Sequence, residues 1–418
     1  MPGSVKGTRD LLPPETRVWN RVEEIARAVF GLYGFDEIRT PVLEPTELFV
    51  RTVGEDTDIV HKEMYSFTDR GGRAVTMRPE NTAGVARAYV EHGMAQGGFV
   101  RKLWYLGPQF RYERPQKGRY REFRQIGAEV LGAADPGSDA DLLVMLFDFL
   151  GRLGFTELSV SLNSVGTDSC RPAYVAALRA FFSSKEAELG EDDRRRLAEN
   201  PLRILDSKDP SVKRLLAGSG VPTMLDFLDA DSKRHHEELL ALLAAAGIPY
   251  RIEPRLVRGL DYYTRTVFEV TAQGLGAQDA LMGGGRYDRL VSDLGGPKTP
   301  GIGFAIGEDR LVAVLPEAFR RNAMEGHPRI AVIALAPEDR AEALSVAAML
   351  RKEGIPVDLE TAAKGPGPGL KSAEKKGAKL AVLVGERERA AGAFVVKDLT
   401  ARTQESVERG ELAARLKS

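Results

Sequence analysis

The stretch FRYERPQKGRYREFRQ, Phe110 to Gln125, sets Arg111, Arg114, Lys117, Arg119, Arg121 and Arg124 against only Glu113 and Glu122. Pro115 and Gly118 place its middle in a loop. The flanking runs KLWYLGPQFRYE (102–113) and EFRQIGAEVLG (122–132) have the aromatic and β-branched content of strands. The segment therefore predicts two extended arms joined by a basic tip. Arginine in preference to lysine suits a bidentate grip on phosphate. Phe123 and the interleaved tyrosines suit stacking on a base or nucleotide. The plainer alternative is a solvated basic hairpin.

Around this hairpin, short strand-like runs alternate with helices. Residues 16–33 carry apolar side chains at helical spacing and end at Gly34. FDEIRTPVLEP (35–45) reads as extended, with Pro41 at an edge or bulge. A strand at 73–79, a helix near 80–92, a helix at 139–153 and a strand at LSVSLNSVG (158–166) complete the picture of an α+β fold: an antiparallel sheet flanked by helices. Residues 171–245 are rich in Ala, Leu, Glu, Arg and Lys and read as a helical insertion. Sheet character returns at PYRIEPRLVRG (249–259). After a break at 323–329, RIAVIAL, a helix at 337–353, PVDLE, a helix near 370–377, KLAVLVG and AFVVKDL predict a small α/β domain with a largely parallel sheet. Within it, KGPGPGLK (364–371) reads as a loop. The expected domains are 1–325 and 327–418.

The 418 residues carry a net charge of −1, which excludes a polybasic protein but not a local basic site. The start of the chain has no apolar signal-peptide core, and no apolar run is long enough to span a bilayer. The lone Cys170 fits a reducing, cytoplasmic setting. The five histidines have no metal spacing, and the adjacent His235 and His236 read as surface residues. No protein-bound metal is expected.

Three further stretches stand out. RGLDYYTRTVFEV (258–270) delivers two tyrosines from a turn into a β-branched run. Strand alternation puts Tyr262, Thr264, Thr266, Phe268 and Val270 on a core face, and Tyr263, Arg265, Val267 and Glu269 on a wet one. Gly259 lets the backbone turn closely beside Arg258. MGGGRYDRL (282–290) is a glycine run where backbone passes close to a ligand or another strand. GIGFAIGEDRL (301–311) reads as a strand turning into a helix, with Glu308 and Asp309 in its first turn. In RPENTA (78–83), Glu80 and Thr82 lie at a helix start that Thr82 or Asn81 caps.

Taken in order, these stretches resemble the three signature motifs of class II aminoacyl-tRNA synthetases. Gly34–Pro41 resembles the first, a helix and strand that build a dimer interface. Phe110–Glu113 with Arg119 and Phe123 resembles the second, and Gly301–Arg310 the third. RGLDYY and GGGRYD are similar to the two signatures of the histidyl-tRNA synthetase family, bacterial type, and the likeness spans the chain, including a C-terminal anticodon-binding domain. The resemblance implies a histidine–tRNA ligase that joins histidine to ATP, with magnesium, as histidyl-adenylate and then charges histidine tRNA. It implies that Arg258 is the catalytic cation and that Arg111 contacts the α-phosphate and the carboxylate region. Arg119 and Arg310 would hold the outer phosphates, Phe123 would stack on adenine, and Glu113 would bind its amino group. Glu129 and Tyr263 would address the imidazole, with Tyr287 nearby and Tyr262 anchoring the strand behind. Glu80, Thr82 and Gln125 would hold the α-amino group. Arg114 and Gln116 would meet the tRNA acceptor end, with its extra 5′ guanosine, and the C-terminal domain would read the anticodon. There the Lys371, Lys375, Lys376 and Lys379 cluster is either part of the RNA face or a solvated helix face.

The sequence departs from the family pattern at Asn81 and Arg289, where glycine is usual, and at Arg124, where histidine is usual. Asn81 is expected to crowd the amino-acid pocket slightly, and Arg124 to add charge beside the adenine or acceptor end. The alternative reading is the non-catalytic paralogue that serves as regulatory subunit of ATP phosphoribosyltransferase. The intact RGLDYY and the C-terminal domain oppose it.

Overall fold

The computed structural model describes residues 3–54, 57–114, 118–207, 209–218, 220–260, 262–272, 280–325, 329–362 and 365–417. Its strands are β1 Asp36–Glu37, β2 Leu43–Pro45, β3 Tyr65–Thr68, β4 Ala74–Met77, β5 Arg101–Phe110, β6 Glu122–Leu131, β7 Leu158–Ser164, β8 Tyr250–Ile252, β9 Thr264–Ala272, β10 Ala280–Arg286, β11 Gly301–Gly307, β12 Arg329–Ala334, β13 Val357–Glu360, β14 Ala378–Val384, β15 Ala393–Asp398 and β16 Gln404–Glu408. Its α-helices are α1 Glu15–Leu32, α2 Thr46–Val53, α3 Thr82–Glu91, α4 Pro136–Arg152, α5 Arg171–Ser183, α6 Glu191–Glu199, α7 Pro210–Ala217, α8 Ala230–Ala245, α9 Leu290–Asp293, α10 Glu308–Val314, α11 Glu317–Glu325, α12 Arg340–Lys352, α13 Pro366–Lys375, α14 Glu386–Ala391 and α15 Leu412–Lys417. Two compact units divide the chain, Met1–Arg320 and Arg321–Ser418.

The first unit is built on an eight-stranded sheet in the order β1-β5-β6-β11-β10-β9-β7-β8. The six central strands run antiparallel, as the hairpin predicts, and only the edge pairs β1–β5 and β7–β8 are parallel. Helix α1 buries Val18, Trp19, Val22, Val29 and Phe30. The Phe30 ring meets Trp104 at 5.6 Å, Phe149 of α4 at 5.4 Å and Phe304 at 6.1 Å, locking two helices to one sheet face. Helix α4 starts one turn earlier than its apolar periodicity shows, because Asp135 accepts a hydrogen bond from the Ser138 N–H at 3.0 Å and Pro136 needs no donor there. Helices α5 to α7 enclose their own apolar cluster, including Tyr174, Leu178, Phe182, Leu197 and Val212.

Three expectations change. His235 and His236 are buried, 6% and 8% exposed, rather than on the surface. The cause is that α8 packs on α4. There the Asp139 carboxylate takes hydrogen bonds from Thr266 Oγ1 at 2.8 Å and Arg286 Nε at 3.0 Å, and meets His235 Nε2 at 2.9 Å. Second, the wet face assigned to β9 is only half wet: Arg265 and Glu269 are partly exposed, but Val267 is 0% exposed and Tyr263 9%. A bulge shifts the register between Gly285 and Arg286, and Arg265, two residues after Tyr263, takes φ 49°. Both tyrosines join one cluster with Tyr105 and Tyr287. At the start of α3 neither Asn81 nor Thr82 caps. Glu80 does, accepting from the Thr82 N–H at 2.7 Å and the Ala83 N–H at 2.9 Å.

Asp139→Asn removes one buried charge facing Arg286, both groups being fully buried. It should lower unfolding stability by about 2 kcal/mol, read from urea denaturation at fixed pH.

The second unit has a five-stranded sheet, β13-β12-β14-β15-β16, parallel on one side of β14 and antiparallel on the other. Strand β16 and helix α15 were not legible in the charged sequence after residue 400. The KGPGPGLK run, whose Lys364 lies outside the described residues, is helical rather than a loop from Pro366 onward, where α13 begins. Its prolines fall in the first helical turn, where a missing N–H costs nothing.

Candidate active site

Between the sheet of the first unit and the segments around it lies a cleft of ≈ 1360 Å³. Glu80, Thr82, Arg111, Glu113, Arg119, Phe123, Gln125, Glu129, Arg258, Tyr262, Tyr263, Tyr287 and Arg310 all line it. They come from β6, from the starts of α3 and α10, and from the segments just after β5, just before β9 and just after β10. Arg114 is exposed and outside this lining, and Gln116 lies outside the described residues.

The deep end is a polar pocket in a dry surround. Glu129 on β6 is 1% exposed. Its carboxylate accepts from Thr82 Oγ1 at 2.7 Å, from the Tyr105 hydroxyl at 3.4 Å and from the Tyr287 hydroxyl. Burial pushes Glu129 up to about 8 against those hydrogen bonds, with Glu80 adding like charge. Burial also raises Glu80, opposed by its two backbone N–H bonds. Across the sheet Gly303 pairs with Glu129, and a Cβ on Gly303 would lie 1.7 Å from Glu129 Oε2, so only glycine leaves the carboxylate its place. Gln125 Oε1 is buried with no hydrogen-bond partner among the described residues, one accepting group left for something else.

Opposite this pocket, Arg258 is paired with Glu269 at 2.5 Å and also faces the Tyr263 hydroxyl. Glu269 pairs with Gly283 in the ladder, and a Cβ on Gly283 would lie 2.3 Å from the guanidinium. Gly283 is thus the floor on which Arg258 lies, while Gly285 leaves room for the Tyr263 ring, 2.8 Å from its own would-be Cβ. The Tyr262 ring sits 4.7 Å from that of Tyr263 and 5.7 Å from that of Tyr287. Burial raises all three phenols, so they remain neutral donors, with Arg258 opposing the rise at Tyr263.

At the open end, Arg111 donates from Nε to the Pro79 carbonyl at 2.8 Å, with its guanidinium carbon 5.5 Å from the Phe123 ring centre. Arg119 approaches Glu113 at 3.5 Å. Two cations and a flat aromatic face therefore share one wall, a surface suited to a nucleotide.

The three departures lie outside the lining. Asn81 turns its Oδ1 to the Thr40 hydroxyl at 2.6 Å, so it does not crowd the pocket. Arg124 adds no free charge to the cleft: it bridges Glu308 at 3.1 Å and Glu23 at 2.9 Å. Arg289 pairs with Asp168 on the surface at 2.6 Å. Tyr105 and Gly303 escaped notice in the sequence, and Glu269 was read only as part of a wet strand face. Alternation along β5 held the signal for Tyr105, but nothing local pairs Glu269 with Arg258 or Gly303 with Glu129.

Comparison with known proteins adds a second line. A family described as histidyl-tRNA synthetase matches residues 7–311, and one described as anticodon binding domain matches residues 329–418. A histidine–tRNA ligase of Koribacter versatilis is 49% identical, covering 98% of this chain and 95% of that protein. One of Nitratidesulfovibrio vulgaris is 48% identical, covering 99% and 97%. The crystal structure of apo S. aureus histidyl-tRNA synthetase superposes with a TM-score of 0.83 at 34% identity over 100% of both chains.

Proposed function

Because the chain belongs to the histidyl-tRNA synthetase family, we propose that the cleft is where it acts as a histidine–tRNA ligase. A histidine carboxylate oxygen attacks the α-phosphorus of ATP, the bond to pyrophosphate breaks, and histidyl-adenylate forms. The terminal ribose hydroxyl of histidine tRNA then attacks the carbonyl carbon and AMP leaves. The first step brings two anions together, so fixed cations must face the phosphates before reaction. Arg111 and Arg258 take the α-phosphate from opposite sides. Arg119 and Arg310 hold the outer phosphates, Phe123 stacks on adenine and Glu113 takes its amino group. Magnesium enters with ATP as part of the substrate.

Imidazole has two nitrogens to satisfy. Glu129 and Tyr263 take them, with Tyr287 and Tyr262 holding that pair in place. Glu80, Thr82 and Gln125 hold the α-amino group. The observation that carries this reading is Glu129, a buried carboxylate ringed by hydroxyls at the closed end of a cleft whose open end is cationic. Residues 327–418 would read the anticodon, Arg114 and Gln116 would meet the acceptor end, and the protein would work as a cytoplasmic homodimer paired through Gly34–Pro41. The regulatory-subunit alternative is not favoured: both curated relatives above are ligases over nearly their whole length.

ATP–pyrophosphate exchange with each of the twenty amino acids tests the reading. Exchange with histidine alone is expected, and exchange with a different amino acid or with none overturns it. The proton balance gives a further expectation. With Glu129 protonated below about 8 and free imidazole neutral above about 6.5, binding needs no net proton transfer between those values. Below the lower value histidine must lose a proton, and above the upper one the site must gain one. The KM for histidine should therefore be lowest between the two and rise on both sides, and Glu129→Gln should remove the alkaline limb.

A further inference from the structure

The N-terminal segment lies against both walls of the nucleotide end. The Gly7 carbonyl accepts from the Arg121 N–H at 2.7 Å, and the Lys6 carbonyl from Arg121 Nη1 at 3.4 Å. A Cβ on Gly7 would lie 2.7 Å from Arg121 Cδ, so the segment is seated on that side chain. Arg121 in turn covers the Tyr112 ring at 3.7 Å. Two residues further on, the Arg9 guanidinium carbon lies 4.4 Å from the Tyr120 ring centre, and its Nη2 is 3.1 Å from Asp309. Tyr120 and Asp309 both line the cleft, one from the returning arm of the basic hairpin and one from the first turn of α10, beside Arg310. Asp309 is also held by the Arg124 backbone N–H at 2.9 Å. Arg9 itself is outside the lining, 30% exposed, with Glu15 at 3.4 Å on its other side.

From this placement we infer that Arg9 is a positioning residue for ATP: it clamps the hairpin arm to the start of α10 and so fixes the distance between the Phe123 and Arg310 sides of the nucleotide site. The inference rests on the ligase reading, since it takes this end of the cleft to be the ATP end. A planar guanidinium is required because one face must lie on Tyr120 while an edge meets a carboxylate. Histidine binds at the Glu129 end, so its affinity should be indifferent to Arg9.

The test compares Arg9→Met, Arg9→Lys, Tyr120→Leu and the Arg9→Met/Tyr120→Leu double variant in the full chain. In exchange assays Arg9→Met should raise the KM for ATP about tenfold, the combined size of a partly desolvated cation–π contact and an ion pair, while the KM for histidine stays within about twofold. Arg9→Lys should fall between Met and the parent. The double variant should be no worse than the poorer single one, because the two residues act through one contact. An unchanged KM for ATP overturns the inference, as does an equal rise for both substrates. Direct calorimetric titration with magnesium-ATP separates the two ideas. A chain that binds ATP, loses about tenfold with Arg9→Met and yet shows no exchange would sink the ligase reading and leave the clamp standing.

Discussion

Arg258→Ala should lower histidine-dependent exchange by about 10²–10³-fold, the loss seen when one preorganised charge-stabilising donor is removed from an active site, with KM values for histidine and ATP changing much less. The effect is expected in the rate because the guanidinium is already in place before any substrate arrives. Glu269 holds it at 2.5 Å, and Gly283 leaves open the volume it occupies. The side chain is 25% exposed, and Glu269 is similarly accessible, so truncation strands no fully buried charge and the thermal midpoint should hardly move. Arg258→Lys should recover at most about a tenfold part of the loss, since an ammonium reaches Glu269 without presenting a planar fork to phosphate. Exchange by Arg258→Ala at the parent rate would remove Arg258 from the chemistry.

Glu129→Gln should act on the other substrate. The amide fills the same volume but replaces the acid's single O–H, on an oxygen that also accepts, with two N–H donors on a nitrogen that accepts nothing, in a ring where Thr82, Tyr105 and Tyr287 already donate. Either a hydroxyl or the imidazole N–H then faces a donor in a dry pocket. A site built around a polar group loses about 10²–10³-fold or more when the match fails, here read as a rise in the KM for histidine with that for ATP nearly constant. Folding should not suffer. Burial raises Glu129 from the ordinary carboxylate value to about 8. Relative to the amide, its contribution is fully present below the unfolded value near 4.5 and is lost as pH rises through about 8. The variant should therefore gain on the parent in stability as pH climbs across that window. Parallel exchange assays and melts from pH 5 to 9 would show both effects, and an unchanged histidine KM would contradict the assignment.

The residues of this site were legible one at a time. Arg111, Phe123, Tyr263 and Arg258 stood out because charge, aromaticity and turn chemistry are local. The family resemblance, carried by RGLDYY and GGGRYD, supplied roles for the rest. Unreadable features depend on register. Gly303 opposite Glu129 and Gly283 opposite Glu269 are neighbours only after strands far apart in sequence have paired. Alternation along β9 placed the core face and missed only that Tyr263 and Val267 are buried too, close to a register shift and a left-handed Arg265. His235 looked like part of a charged helix face, since its partner Asp139 lies 96 residues away. In the second unit, KGPGPGLK misled because proline and glycine mark loops on average, and position within the first turn overrides the average.

Helix α8 carries a consequence for how the chain is assembled. Strands β7 and β8 are parallel neighbours, Val160 facing Tyr250, so the chain must travel the length of the sheet between them. The 16-residue α8 makes that return journey. Its side chains Leu239 and Leu243 are buried apart from the cluster that holds α5 to α7 together. Composition joins 171–245 into one block, but mechanically the block is two things: an excursion with its own apolar cluster that closes at Asp229, and a spar that belongs to the sheet. Lineages could lengthen, shrink or exchange the excursion while every strand kept its neighbour. Losing the spar would leave β8 with no route to its edge.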